Sequence, residues 1–231
     1  MLSVDNLTLH YGQSQILHGI SLTAEPGKVT AVTGTNGVGK TSLLKAIAGR
    51  HPYSGGAITL DGAPLNHLNA FQAGRAGIAY VPQGREVFPL MTVQENLETG
   101  FACLPKSEHK VPDHIFELFP ILKDFLHRRG GDLSGGQQQQ LAIARALITK
   151  PRVLLLDEPT EGIQPNIIQQ IGRVISQLRD QGGMAIILVE QYFDFMWELA
   201  DSFVAVQRGA VSLAGKAGEI DREALLAKVS I

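Results

Sequence analysis

The stretch at residues 34–41 constrains this chain more than any other part of the sequence. It reads Gly-Thr-Asn-Gly-Val-Gly-Lys-Thr and matches the pattern G-x-x-x-x-G-K-[ST] of phosphate-binding loops. The glycines allow a tight turn in which successive backbone N–H groups point into one concavity and hold phosphate oxygens. Lys40 supplies a positive charge for terminal phosphates, and the Thr41 hydroxyl suits a Mg²⁺ ligand. The stretch therefore predicts a nucleotide-phosphate site.

The sequence on either side of the loop supports this reading over a chance match in a glycine-rich segment. Residues 29–33 are rich in β-branched side chains and predict a strand that enters the loop. Residues 41–48 predict a helix that leaves it, with Gly49 as the C-terminal stop. The N-terminus of that helix favours a bound anion. We expect the nucleotide contacts to come from Gly34, Thr35, Asn36, Gly37, Val38, Gly39, Lys40, Thr41 and Ser42.

Composition narrows the class of protein. The chain has 231 residues, and we treat 1–231 as a single domain with a sizeable insertion. A formal charge of −2 argues against a general nucleic-acid binder, so we expect no nucleic-acid partner. One cysteine, Cys103, fits a reducing compartment. The N-terminus lacks the features of a signal peptide, and no run approaches the ~18 apolar residues of a membrane span, so we expect no direct membrane insertion.

The order of apolar runs predicts an α/β fold with a mostly parallel sheet. Residues 2–9 and 16–22 predict a pair of antiparallel N-terminal strands. Residues 152–157 and 184–189 contain continuous apolar runs, which suit strands buried on both faces of a parallel sheet. From 84 to 150, prolines and a capping box replace strand alternation, which predicts a helical subdomain inserted in the nucleotide-binding core.

Polar residues at the predicted strand ends are the candidates for chemistry. Asp157 ends a buried strand, and we expect it to hold Mg²⁺ directly or through water. Glu158 beside it is suited to polarise the attacking water. A solvated Asp-Glu pair at a strand end is the alternative for both residues. Gln83 also follows a predicted strand, and we consider it for the metal or the water on that position alone.

A second anion site is predicted before a helix, where residues 133–137 read Leu-Ser-Gly-Gly-Gln. Its serine offers a hydroxyl, its two glycines allow close approach, and the helix start attracts anions. An ordinary capped helix start is the alternative. The residues expected to contact nucleotide here are Ser134, Gly135, Gly136 and Gln137.

Together these segments resemble the ATP-binding subunits of ABC transporters. The phosphate loop, Gln83, residues 133–137 and the Asp157-Glu158 pair occur in that family's order and at its approximate spacing, over essentially the whole chain. The resemblance implies an ATPase that binds ATP and Mg²⁺ in a dimer with a second ABC ATPase subunit. In such a dimer the phosphate loop of one subunit faces Ser134, Gly135 and Gly136 of the other. The resemblance also implies membrane-spanning permease subunits as partners and a cytoplasmic location on the inner face of the membrane.

The resemblance also assigns roles to individual residues. Tyr11 matches the aromatic residue that stacks on adenine, with ordinary packing as the alternative. Glu158 and Gln191 are the catalytic candidates, although Gln191 stands where most members have a histidine that contacts the γ-phosphate. Gln164 stands where many members have an aspartate at the dimer junction, and both departures concern hydrolysis rather than nucleotide binding. The implied metal ligands are Thr41, Gln83 and Asp157.

Finer features point to the kind of transporter. Residues 81–85, 89–97 and 189–191 resemble the ATPases of branched-chain amino-acid importers and of urea or amide importers. Residues 160–165 resemble the urea branch, so the expected function is an ATPase that powers uptake of urea or short amides. A branched-chain amino-acid importer is the alternative, and an ATP-dependent conformational switch with weak hydrolysis is another. An ABC ATPase acting on chromosomes or ribosomes is disfavoured, because coiled-coil heptads, a second ATPase domain and strong positive charge are missing.

Overall fold

The computed structural model describes residues 1–65 and 67–229, and within them ten strands form two sheets. The strands are β1 (Leu2–Tyr11), β2 (Ser14–Ala24), β3 (Val29–Thr33), β4 (Gly55–Leu60), β5 (Ala63–Pro64), β6 (Ile78–Val81), β7 (Val153–Asp157), β8 (Ala185–Val189), β9 (Ser202–Gln207) and β10 (Ala210–Lys216). The first sheet is antiparallel, in the order β2-β1-β4-β5. The second has the order β10-β9-β3-β8-β7-β6, and all its pairs are parallel except β10 with β9.

Helices cover the second sheet and fill the long connection between β6 and β7. They are α1 (Lys40–Ile47), α2 (Ala70–Arg75), α3 (Val93–Glu98), α4 (Asp113–Leu118), α5 (Pro120–Asp124), α6 (Gly135–Ile148), α7 (Pro165–Asp180), α8 (Phe193–Leu199) and α9 (Arg222–Val229). Helices α3 to α6 and three short 3-10 segments lie in that connection. The limits 84–150 for an inserted subdomain stay a prediction. No helix within the described chain combines the length and apolar character of a membrane span.

The central strands are buried on both faces, which explains their continuous apolar sequences. In β7, Leu154 and Leu156 pack into one hydrophobic cluster, whereas Val153 and Leu155 pack into the other. A strand sends neighbouring side chains to opposite faces, so both faces need apolar residues. Each such side chain contributes about 1.5–3 kcal/mol when fully buried. The sheet is therefore a rigid frame for the polar residues at its edge.

The carboxyl ends of four parallel strands meet at one edge of this sheet. Strand β3 leads into the phosphate loop, β6 leads to Gln83, β7 ends at Asp157, and β8 is followed by Glu190 and Gln191. The register pairs Asp157 with Val189, so β7 and β8 end at the same level. Open α/β sheets bind ligands at this edge. The topology therefore brings together residues from four distant parts of the chain.

The predicted fold class is confirmed, including the mostly parallel sheet and the antiparallel N-terminal strands. Strands β9 and β10 form an antiparallel hairpin, and β9 in addition joins β3 in parallel. Helices α2, α8 and α9 were not predicted, because six to eight residues give little helical periodicity. A local signal did exist for α2, which begins with a capping box of Asn69 and Gln72.

Candidate active site

The phosphate loop joins β3 to α1 in a conformation that requires glycine at two positions. Gly34 has a φ of 147°, and a Cβ there would collide with the carbonyl oxygen of Val206. Gly39 precedes α1 with a φ of 106°, and a Cβ there would lie 2.6 Å from Leu17 Cδ2. Helix α1 then begins at Lys40 without a side-chain cap. Its first backbone N–H groups are therefore available to a bound anion.

The Lys40 side chain is folded back over the loop. Its Nζ donates hydrogen bonds to the carbonyl oxygens of Gly34, at 2.7 Å, and Thr35, at 2.9 Å. Burial lowers the pKa of Lys40, and the nearby carboxylates of Glu158, Asp157 and Glu190 oppose that shift. The ammonium group thus lies in the loop among acceptors, where a terminal phosphate would replace backbone carbonyls as its partner.

A cleft of about 420 Å³ opens in front of the loop. The residues that line it are Tyr11, Ile16, Asn36, Gly37, Gly39, Lys40, Thr41, Ser42, Gln83, Glu158, Glu161 and Gln191. Tyr11 is 43% exposed at this cleft, and its ring lies 4.3 Å from that of His51. Gly34, Thr35, Val38 and Asp157 were predicted to belong to the site but do not line the cleft. Most predicted residues from the first half of the chain thus share one concave surface.

Asp157 lies beneath the cleft and is 1% exposed. The hydroxyl of Thr41 donates to its Oδ1 at 3.1 Å, and the hydroxyl of Tyr80 donates to its Oδ2 at 2.9 Å. Burial raises the pKa of the Asp157 carboxyl, although both hydrogen bonds act in the opposite direction. A buried carboxylate next to a hydroxyl provides two oxygen ligands of the kind that Mg²⁺ takes.

Glu158 is held at the cleft by two amides. Gln191 Nε2 donates to its Oε1 at 2.7 Å, and Gln83 Nε2 donates to its Oε2 at 3.2 Å. Gln83 Nε2 also lies 3.0 Å from Glu161 Oε2. The backbone of Glu158 has a φ of 48°, a left-handed conformation that is uncommon outside glycine. The predicted base, Gln83 and Gln191 therefore form one connected group.

Glu190 is a buried carboxylate that sequence analysis did not single out. It is 2% exposed, and its Oε1 accepts from the backbone N and the hydroxyl of Thr160 at 2.9 and 2.7 Å. Its Oε2 accepts from the backbone N of Gln191 and of Tyr192 at 3.0 and 3.3 Å. Burial raises the pKa of Glu190, opposed by these bonds. An acidic residue directly after an apolar strand was the available signal, as it was for Asp157.

Residues 133–137 form a separate helix start that does not line the cleft. Ser134 caps α6, with its hydroxyl 3.4 Å from the backbone N of Gln137. The Gln137 side chain accepts in return from the backbone N of Ser134 at 2.9 Å. The structure therefore does not bring these residues together with the phosphate loop of the same chain.

Comparison with known proteins identifies the class. A family model described as ABC transporter matches residues 17–161, which include the phosphate loop, Gln83, residues 133–137 and the Asp157-Glu158 pair. The match covers more than half of the chain. This chain therefore belongs to the ABC transporter family as an ATP-binding cassette, and such cassettes are P-loop ATPases that bind ATP.

Two relatives give a more particular likeness. The high-affinity branched-chain amino acid transport ATP-binding protein BraG of Pseudomonas aeruginosa is 42% identical over 212 residues, which cover 91% of each chain. The probable branched-chain amino acid transport ATP-binding protein LivF of Archaeoglobus fulgidus is 37% identical over 221 residues, covering 95% of this chain and 94% of the relative. Neither name mentions urea or amides, so these relatives favour the branched-chain alternative over the urea reading.

A solved structure shows the same fold. The dimeric post-hydrolysis state of the ATP-binding cassette MJ0796, bound to ADP and phosphate, superposes with a TM-score of 0.83 and covers 94% of this chain and 99% of its own. At 23% identity, this likeness concerns the fold alone.

Proposed function

We propose that this chain is the Mg²⁺-dependent ATPase subunit of an importer for branched-chain amino acids. The observation that carries the chemistry is the position of Glu158, whose carboxylate is held at the cleft by the amides of Gln83 and Gln191. The names of the two relatives support the solute class.

ATP binding is assigned to the loop and the N-terminus of α1. The uncapped N–H groups of α1 bind phosphate oxygens, and Lys40 exchanges the carbonyls of Gly34 and Thr35 for the terminal phosphates. The half-exposed ring of Tyr11 lines the same cleft and provides a flat apolar surface for adenine.

Thr41 and Asp157 are the residues that fit Mg²⁺. Their side-chain oxygens lie 3.1 Å apart, and the Asp157 side chain is almost fully buried, so water does little to stabilise its negative charge. Mg²⁺ takes one or two carboxylates together with substrate phosphates and water, so it does not need a cluster of acidic residues. When bound, it would neutralise charge on the phosphates. Gln83 is also assigned to this site, although its amide contacts Glu158 and Glu161 in this structure.

Glu158 is assigned the role of general base. A carboxylate can take a proton from water that attacks the terminal phosphate, which typically contributes about 10²–10⁴-fold. Donors at both oxygens orient this carboxylate. Gln191 follows the buried strand β8 and is assigned to the γ-phosphate as a neutral donor.

A second cassette subunit is assigned to complete each nucleotide site. Ser134, Gly135 and Gly136 lie outside the cleft of their own chain, so they remain for the nucleotide of a partner cassette. The dimer is either a homodimer or, in the working transporter, a heterodimer with a related ATPase. Both cassettes bind permease subunits at the cytoplasmic face of the membrane.

Replacing Glu158 by glutamine tests the ATPase assignment. We expect Glu158→Gln to keep ATP affinity and to lose about 100-fold or more in steady-state phosphate release. Glu161→Gln is the matched control, because it makes the same change in a neighbouring carboxylate that also contacts Gln83. Hydrolysis at the parent rate by Glu158→Gln would exclude Glu158 as the base.

Mixing two inactive variants tests the action of Ser134 across subunits. Lys40→Ala and Ser134→Arg proteins are combined at a constant total concentration, and phosphate release is measured. In a mixed dimer one composite site carries both changes and the other carries neither, so we expect activity to differ from the mean of the two parents. Activity equal to that mean at every ratio argues against sites shared between subunits.

Uptake measurements test the solute. Deletion of the gene should abolish high-affinity uptake of labelled leucine and leave urea uptake unchanged, with restoration by the parent gene and not by Lys40→Ala. Loss of urea uptake alone would return the assignment to the urea branch.

A further inference from the structure

Tyr80 in β6 connects two parts of the molecule that the proposed function leaves unconnected. On one side its hydroxyl donates to Asp157 Oδ2 at 2.9 Å. On the other, the guanidinium carbon of Arg50 lies 5.5 Å from the centre of its ring. The Tyr80 side chain therefore contacts both the buried Asp157 carboxylate and the Arg50 guanidinium.

Polar contacts beside the ring hold Arg50 in place over it. Tyr80, Arg50, Glu86 and Arg145 line a groove of about 260 Å³. Arg50 pairs with the Glu86 carboxylate at 2.7 Å, and Arg145 donates to the Glu86 carbonyl oxygen at 2.8 Å. A cation above an aromatic ring stabilises the pair by about 0.5–1 kcal/mol at exposed sites. These contacts restrict the ring and so restrict the position of its hydroxyl.

The fixed Tyr80 hydroxyl in turn restricts the orientation of the Asp157 carboxylate. Its two carboxylate oxygens accept from different hydroxyls, Oδ1 from Thr41 and Oδ2 from Tyr80. Thr41 belongs to the loop and has its own role at the metal, whereas Tyr80 has no contact with the cleft. With Oδ2 held by Tyr80, Oδ1 is the oxygen that stays directed toward the Thr41 hydroxyl. Hydrogen bonds of this kind to a ligating carboxylate commonly account for about 10–100-fold in metal affinity.

We propose that Tyr80 is a positioning residue that orients the Asp157 carboxylate for Mg²⁺. The inference rests on the proposed function, because it requires Asp157 to hold the metal. It predicts that removal of one hydroxyl that does not line the cleft weakens metal binding without weakening nucleotide binding.

Tyr80→Phe tests the inference, because it deletes the hydroxyl and keeps the ring under Arg50. The matched control is Tyr53→Phe, which removes the hydroxyl of a buried tyrosine. Within residues 1–65 and 67–229, the one hydrogen bond of that hydroxyl comes from the backbone N of His67, at 3.4 Å. Binding of Mn²⁺ is followed by electron paramagnetic resonance in the presence of a non-hydrolysable ATP analogue. Affinity for the analogue is measured separately in EDTA, which also verifies that each variant is folded.

We expect Tyr80→Phe to bind Mn²⁺ about tenfold more weakly and to need about tenfold more Mg²⁺ for half-maximal hydrolysis. Its analogue affinity in EDTA and all properties of Tyr53→Phe should match the parent. Unchanged or tighter Mn²⁺ binding by Tyr80→Phe overturns the inference. If the parent itself binds no Mn²⁺ with the analogue, the metal assignment in the proposed function fails instead, so the two failures can be distinguished.

Discussion

The two glycine-rich helix starts of this chain differ in how their backbone N–H groups are satisfied. Helix α1 follows Gly39 and has no side-chain cap. Helix α6 follows Ser134, which forms a capping box with Gln137. The first start faces the cleft, and the second does not line it. Both sequences suggested an anion site, yet only the first is open to an anion within one chain.

The capping distances show how the second start differs from ordinary caps. In the capping boxes of α2 and α3, the cap oxygens of Asn69 and Thr92 lie 2.9 and 3.2 Å from the backbone N they accept from. The corresponding distance at Ser134 is 3.4 Å, the longest of the three. A long bond is a weak bond. By this distance, the Ser134 cap is the weakest of the three.

The largest expected effect comes from the charge at the open helix start. Lys40→Ala removes an ammonium group that would make two charge-assisted bonds, so ATP affinity should fall by about 100-fold or more. Lys28→Ala, at the other end of β3, removes an exposed lysine paired with Asp201 and serves as the control. Titration with a fluorescent ATP analogue measures both. Equal affinities would remove Lys40 from the site and with it the contrast between the two helix starts.

A smaller effect is expected at Gln191, which lines the same cleft as the start of α1. Gln191→Ala loses one donor to Glu158, and hydrolysis should slow about tenfold for an interaction of ~1.4 kcal/mol. Gln191→His should keep activity and become dependent on pH near the imidazole pKa of ~6.5. Phosphate release from pH 5.5 to 8.5 measures this, with the exposed Gln169→Ala as control. Identical pH profiles for the parent, Gln191→Ala and Gln191→His would show that Gln191 does not act on the nucleotide.

The burial of Asp157 next to α1 should cost stability in the absence of metal. Because burial raises its pKa above the ordinary value of 3.8, the folded state binds this proton more tightly than the unfolded chain does. The contribution of Asp157 to the free energy of unfolding is therefore greatest below that value and falls as the pH rises through the folded pKa. Thr41 and Tyr80 hydroxyls can also accept hydrogen bonds from an amide.

We therefore expect nucleotide-free Asp157→Asn to have a higher Tm than the parent at pH 7.5, with a difference that shrinks as the pH falls toward the ordinary aspartate pKa of 3.8. Thermal unfolding in EDTA measures it, and Asp180→Asn controls for the loss of an exposed negative charge. A variant less stable than the parent throughout this range would show that the carboxylate stabilises the folded state.

The smallest effect is expected at the second helix start. Ser134→Ala should lower stability by about 1 kcal/mol or less, because it removes a long capping bond. Thr92→Ala makes the same change in the capping box of α3 and should cost at least as much stability. Only Ser134→Ala should also reduce hydrolysis at dimer-forming concentrations. Equal hydrolysis by both variants would make Ser134 an ordinary cap.

The sequence predicted features that depend on neighbouring residues. The phosphate loop, the buried strands and the capped starts of α3 and α6 follow from local patterns of glycine, apolar and capping residues, and the structure contains them. It did not predict the contacts of Tyr80 and Glu190. Their partners, Asp157 and Thr160, lie 77 and 30 residues away, and no local pattern records such a contact.

By itself, the sequence determined which residue types follow each strand, because a strand buried on both faces must be apolar and must end where polar residues begin. The tertiary structure decided which of these ends meet. The order β3-β8-β7-β6 places the phosphate loop, Gln191, Glu158 and Gln83 side by side, although they are far apart along the chain. That order depends on how long connections cross over the sheet and pack. The tertiary structure also decided that Ser134 remains outside the cleft, because α6 packs its apolar face into the hydrophobic cluster on one face of the sheet.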